Sequence, residues 1–208
     1  FSQDKLDRCI SCGYCLPACP TYKLTGNEES SPRGRITLMR AVQNDKLPAL
    51  DLLKESSFCL GCRACEPVCP AGVEYGVLLE EMRDITWQGK NRPLIIRGLF
   101  AIVDSKIGMW GLGLFSPMAR RREANKDLHL MYGCFERRLF PSVSRAVAKL
   151  APEVSCSSDQ GCCGALHAHN GELEKGKEMA KALGAKLPGT ILTTAGGCAA
   201  HLSSVIGA

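Results

Sequence analysis

The chain contains no G-x-G-x-x-G stretch and no P-loop glycine pattern, so the usual backbone cradles for dinucleotide and nucleotide phosphates are missing. No signal peptide is recognisable, which goes against a secreted domain built on disulfides. Strong charge is missing too: the formal net charge is +5 over 208 residues, which implies no nucleic-acid partner. A membrane span is not favoured. Between Leu94 and Phe115, eleven Leu, Ile, Phe and Val residues would gain about 3 to 7 kcal/mol on insertion, while Asp104 and Lys106 would cost about 5 to 7 before Arg97 and the glycines count. What remains is a 45% apolar chain that can bury a sizeable core, and two domains are expected. Phe1 stands where a chain start would carry methionine, and Ala208 falls inside a helical pattern, so a fragment is expected.

Cysteine is what the chain has in excess, with 13 of them. The first stretch reads Cys9-Ile-Ser-Cys12-Gly-Tyr-Cys15-Leu-Pro-Ala-Cys19-Pro20, and its echo is Cys59-Leu-Gly-Cys62-Arg-Ala-Cys65-Glu-Pro-Val-Cys69-Pro70. Both fit C-x2-C-x2-C-x3-C-P without a mismatch. Three evenly spaced thiolates wrap one cube of iron and sulfide, while the fourth, set apart by the turn at proline, serves the other cluster. Two 4Fe-4S clusters are therefore expected. The crossover rule gives Cys9, Cys12, Cys15 and Cys69 to one, and Cys59, Cys62, Cys65 and Cys19 to the second. Zinc would use two C-x2-C pairs and leave the third cysteine and the recurring proline without a purpose. A disulfide framework suits short secreted chains, not an odd count in a chain of this length. Thiolates that hold iron must stay reduced, which points to the cytoplasm.

Read in order, residues 1 to 8 are polar and run into the first loop. Ser31-Pro32 starts a helix to about residue 44, with serine as cap, proline at the first helical position, and Ile36, Met39 and Val42 on one face. Arg33, Arg35 and Arg40 read as a solvated basic face of that helix, with tempering of the cluster charge or contact with a partner as the alternative. Val77, Leu78, Glu80, Glu81, Met82 and Ile85 have helical spacing again. From 94 onwards Ile95, Ile96, Leu99, Ile102 and Val103 share one arc with Arg97 and Asp104 opposite, which predicts an amphipathic helix for a core, a partner or a membrane surface. Arg120-Arg121-Arg122 would help on an anionic leaflet. Ser116 to Asp127 reads as a linker.

From Leu128 strands and helices alternate. Leu128 to Tyr132, Glu153 to Cys156 and Thr190 to Thr194 read as strands of a parallel sheet. Between them come a helix striped by Leu139, Val143, Val147 and Leu150, and a helix from Glu172 to Leu183 capped by Asn170. A last helix runs on from Cys198 through Val205. Cys134, Cys162, Cys163 and Cys198 fall in loops after strands, and in an open parallel sheet such loops gather at the carboxyl edge, where ligands bind. They form a candidate third cluster or metal site, with Cys198 favoured as a thiolate by a helix start. Cys156 reads as structural, and His167, His169 and His201 as hydrogen-bonded groups rather than ligands.

The expected fold class is α+β. An alpha-helical two-cluster ferredoxin module spans 1–93, an amphipathic helix and linker 94–127, and an α/β cysteine-rich module with a small parallel sheet 128–208.

The two cysteine loops, Ser31-Pro-Arg-Gly-Arg-Ile36, Gly133-Cys134-Phe-Glu-Arg-Arg-Leu-Phe-Pro141, Gln160-Gly-Cys-Cys-Gly-Ala-Leu-His167 and Ala195-Gly-Gly-Cys198 together resemble the glycolate oxidase iron-sulfur subunit family. That family of cysteine-rich CCG-domain proteins is related to lactate-utilisation and heterodisulfide reductase subunits. The resemblance implies electron transfer from flavin on partner flavoprotein subunits of a 2-hydroxy acid (glycolate) dehydrogenase towards a quinone acceptor, at the inner face of a membrane. It implies no catalytic residue or substrate site on this chain. Two features depart from the family: the second cysteine-rich block is missing, and Cys198-Ala-Ala-His201 stands where heterodisulfide reductases close the block with C-x2-C. The alternative, a thiol-disulfide oxidoreductase of the heterodisulfide reductase type, would do its chemistry at Cys134, Cys162, Cys163 and Cys198.

Overall fold

The structure is a computed structural model that describes residues 1–105, 107–108, 127–157 and 160–207. It divides into two compact units, Phe1–Leu94 with His169–Leu173, and Ile95–Ala168 with Glu174–Ala208. The segment expected as a separate helix and linker therefore has its helix in the second unit. A five-residue piece of the cysteine-rich region belongs to the first. The linker expected from Ser116 to Asp127 lies, apart from Asp127, outside the described residues, and so do Arg120 to Arg122.

The first unit is helical. Helix α1 (Gln3–Asp7) precedes the first cysteine loop, and α2 (Pro20–Thr25) begins on the proline that ends it, where a missing N–H costs nothing. Helix α3 (Pro32–Gln43) starts as expected, with Gly34 N donating to Ser31 Oγ at 3.0 Å. Helix α4 (Leu53–Phe58) delivers the chain to Cys59, and α5 (Tyr75–Thr86) follows the second loop. Leu6, Ile36, Met39, Leu52, Leu78 and Met82 close the core between them. Each such side chain contributes about 1.5–3 kcal/mol of gross burial energy. Gly34 has no room for a side chain, because a Cβ would fall on the Glu28 carbonyl oxygen. The Arg-Gly-Arg sequence is thereby a packing requirement.

In the second unit, α6 (Leu94–Asp104) is the expected amphipathic helix, but its covered face is narrower than predicted. Phe100 is buried against the His167 ring, at a centroid distance of 4.5 Å, whereas Ile95 is 74% exposed. The sheet is also smaller than predicted. Strand β1 (Leu128–Leu130) pairs in parallel with β2 (Thr190–Leu192), His129 opposite Ile191. The expected strand from Glu153 to Cys156 is reduced to one bridge, in which Leu130 N donates to Ser155 O at 2.8 Å and Ser155 N to Leu128 O at 2.9 Å.

Helices α7 (Glu136–Leu139) and α8 (Pro141–Leu150) do not bury the predicted stripe. Leu139 and Val143 are exposed and Leu150 is 85% exposed, while Pro141 and Ser144 are buried and Val147 packs on Leu130, Tyr132 and Val154. After the short helix α9 (Ala165–Ala168), α10 (Leu173–Lys186) begins with Leu173 N donating to Asp84 Oδ1 at 2.9 Å. Asn170 lies in the preceding turn and not at the cap. Helix α11 (Gly196–Ile206) then packs Leu202 with Leu183, Leu187 and Met131.

Candidate metal centres

The two cysteine loops have the same backbone. Ser11 and Gly61 occupy one left-handed position (φ 56 and 65), Gly13 and Arg63 the next (φ 90 and 56). The turns repeat as well: Leu16 N donates to Gly13 O and Cys19 N to Leu16 O, matched by Glu66 N to Arg63 O and Cys69 N to Glu66 O.

An open cleft of about 420 Å³ is lined by Cys9, Cys12, Cys15, Cys65 and Cys69. A second, of about 300 Å³, is lined by Cys19, Cys59, Cys62 and Cys65. The fourth cysteine of each loop thus lines the cleft of the other loop, and all of these thiols are free. Burial pushes the Cys65 thiol up to about 12, so in this setting it ionises only with a positive partner such as iron. Cys19 Sγ lies 3.1 Å from Thr21 Oγ1, and Cys59 Sγ lies 3.6 Å from the Tyr75 hydroxyl, which is itself pushed well above its usual value by burial. Five cysteines at the first cleft and four at the second, Cys65 lining both, with hydroxyl groups beside Cys19 and Cys59, fit a 4Fe-4S cluster in each.

The arginines depart from the reading as a solvated face. Arg35 is fully buried, paired with Glu55 at 3.1 Å and donating to Thr21 Oγ1 at 3.2 Å. Arg40 donates to Leu6 O at 2.5 Å and Cys9 O at 2.7 Å. Arg33 Nη1 donates to Ser11 O at 3.0 Å and is neutralised by Glu28, whose carboxyl the same arginine holds below the usual carboxylate range. A fourth cation, Arg83 on α5, was not legible: it lies on a helix with no motif, and it donates to Cys59 O at 2.6 Å. Basic residues at helical spacing look solvated until backbone carbonyls from distant loops meet them.

The four later cysteines come together in two contacts. Cys134 Sγ lies 3.8 Å from Cys162 Sγ, and Cys163 Sγ 3.0 Å from Cys198 Sγ. Cys198 lies in the first turn of α11 rather than in the preceding loop. The Cys134 and Cys163 thiols are pushed up, chiefly by the Cys162 sulfur beside them, and Cys162 is pulled down chiefly by its contact with Cys134. Cys198 is pulled down chiefly by the Cys163 thiol. Gly164 holds φ +83, and a Cβ there would collide with the Gly176 carbonyl of α10. The glycine after Cys162-Cys163 is therefore required by a close helix approach. Cys156 is buried with Leu130, Tyr132 and Val154, away from these contacts. His167 pairs with Asp104 at 3.2 Å, His169 with Glu80 at 2.6 Å, and His201 Nε2 lies 3.1 Å from Gly176 O.

Two thiol-lined clefts followed by a set of four converging cysteines define an iron-sulfur protein of two domains. Residues 5–73 match the family described as 4Fe-4S dicluster domain, and residues 128–203 match the cysteine-rich domain family. Among known proteins, a probable glycolate oxidase iron-sulfur subunit of Bacillus subtilis is 36% identical over 98% of this chain and 60% of its own length. The glycolate oxidase iron-sulfur subunit of Escherichia coli is 33% identical over 95% of this chain and 58% of its own. A heterodisulfide reductase subunit from Methanosarcina acetivorans is 24% identical over 93% and 56%. The chain is thus similar to glycolate oxidase iron-sulfur subunits along nearly its whole length, and it spans about 60% of the curated relatives it matches first. No solved structure gives a significant match. Among the described residues no helix is long and apolar enough to cross a membrane.

Proposed function

We propose that this chain is the electron-transfer subunit of a flavin-dependent complex that oxidises glycolate or a related 2-hydroxy acid and delivers the electrons to a quinone-type acceptor. Cys9, Cys12, Cys15 and Cys69 hold one cluster, Cys59, Cys62, Cys65 and Cys19 the second, and Cys134, Cys162, Cys163 and Cys198 a third iron-sulfur or metal site. The observation that carries this reading is the exchange of fourth cysteines, Cys69 at the first cleft and Cys19 at the second. When bound, a cluster accepts and releases one electron at a time, which divides the two-electron step of a flavin. The residues of this chain hold the sulfurs in place, keep water from the buried ones, and surround them with hydroxyl groups and arginines. Substrate and flavin belong to partner subunits, in line with relatives that are themselves named as subunits. The complex works on the cytoplasmic side, at the membrane surface.

The test is to mix the anaerobically purified chain with the flavin subunits and add glycolate. Bleaching of the cluster absorbance is expected, and clusters that stay oxidised in the assembled complex would sink the reading. An iron count separates the sites: about eight irons per chain fills only the two clefts, and about twelve fills the third site as well.

The contact between Cys163 and Cys198 favours a second reading, a thiol-disulfide oxidoreductase at the later cysteines. There Cys163→Ser should abolish disulfide reduction with both ferredoxin-type clusters intact; undiminished turnover in that variant rules it out.

A further inference from the structure

Arg83 is held under the second cysteine loop by carbonyl groups. Its Nη2 donates to Cys59 O at 2.6 Å, Nε to Ser56 O at 3.2 Å and Nη1 to His169 O at 2.9 Å. The Trp87 ring covers it at 4.6 Å. A side chain on Gly61 would lie 3.7 Å from Nη1, so the cation borders the loop between Cys59 and Cys62. Arg83 is 8% exposed, and among the described residues it pairs with no carboxylate. Glu80, one turn back on α5, is instead bonded to His169.

A buried guanidinium without a counter-charge is costly, by several kcal/mol in effective terms. Carbonyl dipoles offset part of that, and a negative group is still required. The anion that this position offers is the second set of sulfurs, since Nη2 bonds the Cys59 carbonyl and Nη1 borders the loop between Cys59 and Cys62. The other arginines around the loops are placed differently. Arg33 is neutralised by Glu28 and Arg35 by Glu55. Arg40 makes the equivalent bond at Cys9 O, but is only half-buried, where water and salt screen its charge.

We infer that Arg83 is the fixed counter-charge of the cluster held by Cys59, Cys62, Cys65 and Cys19, and that it raises the reduction potential of that cluster relative to the first. This rests on the ligand assignment proposed above. Reduction adds one negative charge to a cluster, and a buried cation beside it stabilises the more negative form. Arg83 is thus a positioning residue that acts through Cys59. It makes the second cleft the end of the pair that holds the electron.

The test is a mediator titration of the intact chain with dithionite as electron donor, each cluster followed by its electron paramagnetic resonance signal. Cys19→Ser first identifies which signal belongs to the second cleft. In Arg83→Gln that signal should titrate at a potential lower by 59 mV or more, a tenfold change in the one-electron constant, with the first signal unmoved. Full iron content with neither signal moved, or with both moved equally, overturns the inference. Should Arg83→Gln fail to load iron, Arg83→Lys decides: it retains the charge, so a shift smaller than tenfold supports the inference and a larger one overturns it. An unmodified chain that binds no pair of clusters sinks the ligand assignment itself, and that is seen before any Arg83 variant is made.

Discussion

The two cysteine loops are copies in backbone and opposites in surroundings. Each has two left-handed positions, one on either side of its second cysteine, and each has a glycine at one of them: Gly13 with Ser11 in the first, Gly61 with Arg63 in the second. Gly13 stands where a neighbour leaves little room, since a Cβ there would lie 2.8 Å from Arg33 Nη1, whereas at Gly61 the nearest atom would be 3.6 Å away. At the matching position of the second loop Arg63 carries a side chain, and Gly76 makes space for it, its own Cβ site lying 2.7 Å from Arg63 Nε. The first loop is bordered by Arg33, which a surface glutamate neutralises, and the second by Arg83, which is buried. A repeated motif specifies a repeated backbone, while the electrostatics of each copy come from whichever helices pack beneath it.

The sharpest way to break the likeness is to remove the exchanged ligands. Cys69→Ser should lose the same cluster as Cys9→Ser, although it lies in the other loop, and the iron count should fall by about four. Loss of the cluster held by Cys59, Cys62 and Cys65 instead would show that each loop keeps its own fourth cysteine. Next in size is Gly34→Ala, which drives a methyl into the Glu28 carbonyl and should destabilise the first unit by about 3 kcal/mol in chemical denaturation. Gly164→Ala should cost a similar amount in the second unit, for both its positive φ and the Gly176 carbonyl.

Ser11→Gly makes the first loop more like the second and relieves a left-handed serine. A gain of roughly 0.5 to 1 kcal/mol is expected in the same assay. The smallest effect is on pH. The folded value of Glu28 is depressed by Arg33, so its contribution is present above the usual carboxylate range and is lost as pH falls through the depressed value. Half-exposure of the carboxylate limits it to about 1 kcal/mol. Glu28→Gln should remove that part of the acid sensitivity, and an unchanged acid profile in the variant would count against the pairing.

Helix α3 was legible to within a residue because its signals are local: Ser31 as cap, Pro32 at the first position, apolar residues at helical spacing. The dicluster motif was legible for the same reason, as its spacing is short and its residues few. Less of the second unit could be read. Of the stripe of Leu139, Val143, Val147 and Leu150, which has the right period for a buried face, Val147 alone packs inward, and Pro141 and Ser144 are covered beside it. Periodicity names a candidate face, but the neighbouring sheet selects the one that is buried. The strand expected from Glu153 to Cys156 failed in a similar way. Its length depends on partners, and among the described residues β1 meets it through hydrogen bonds at Ser155.

The sequence alone determined the cysteine sets, the duplicated loop and the helix starts, since each rests on contacts between residues near one another in the chain. The tertiary structure alone decided that Arg35 and Arg83 are buried beside the loops, and that Cys134 meets Cys162 while Cys163 meets Cys198. The physical reason is that a guanidinium or a thiol has many local partners available. Which one it takes depends on carbonyls, carboxylates and sulfurs brought from far along the chain, and on how much water the packing leaves around it.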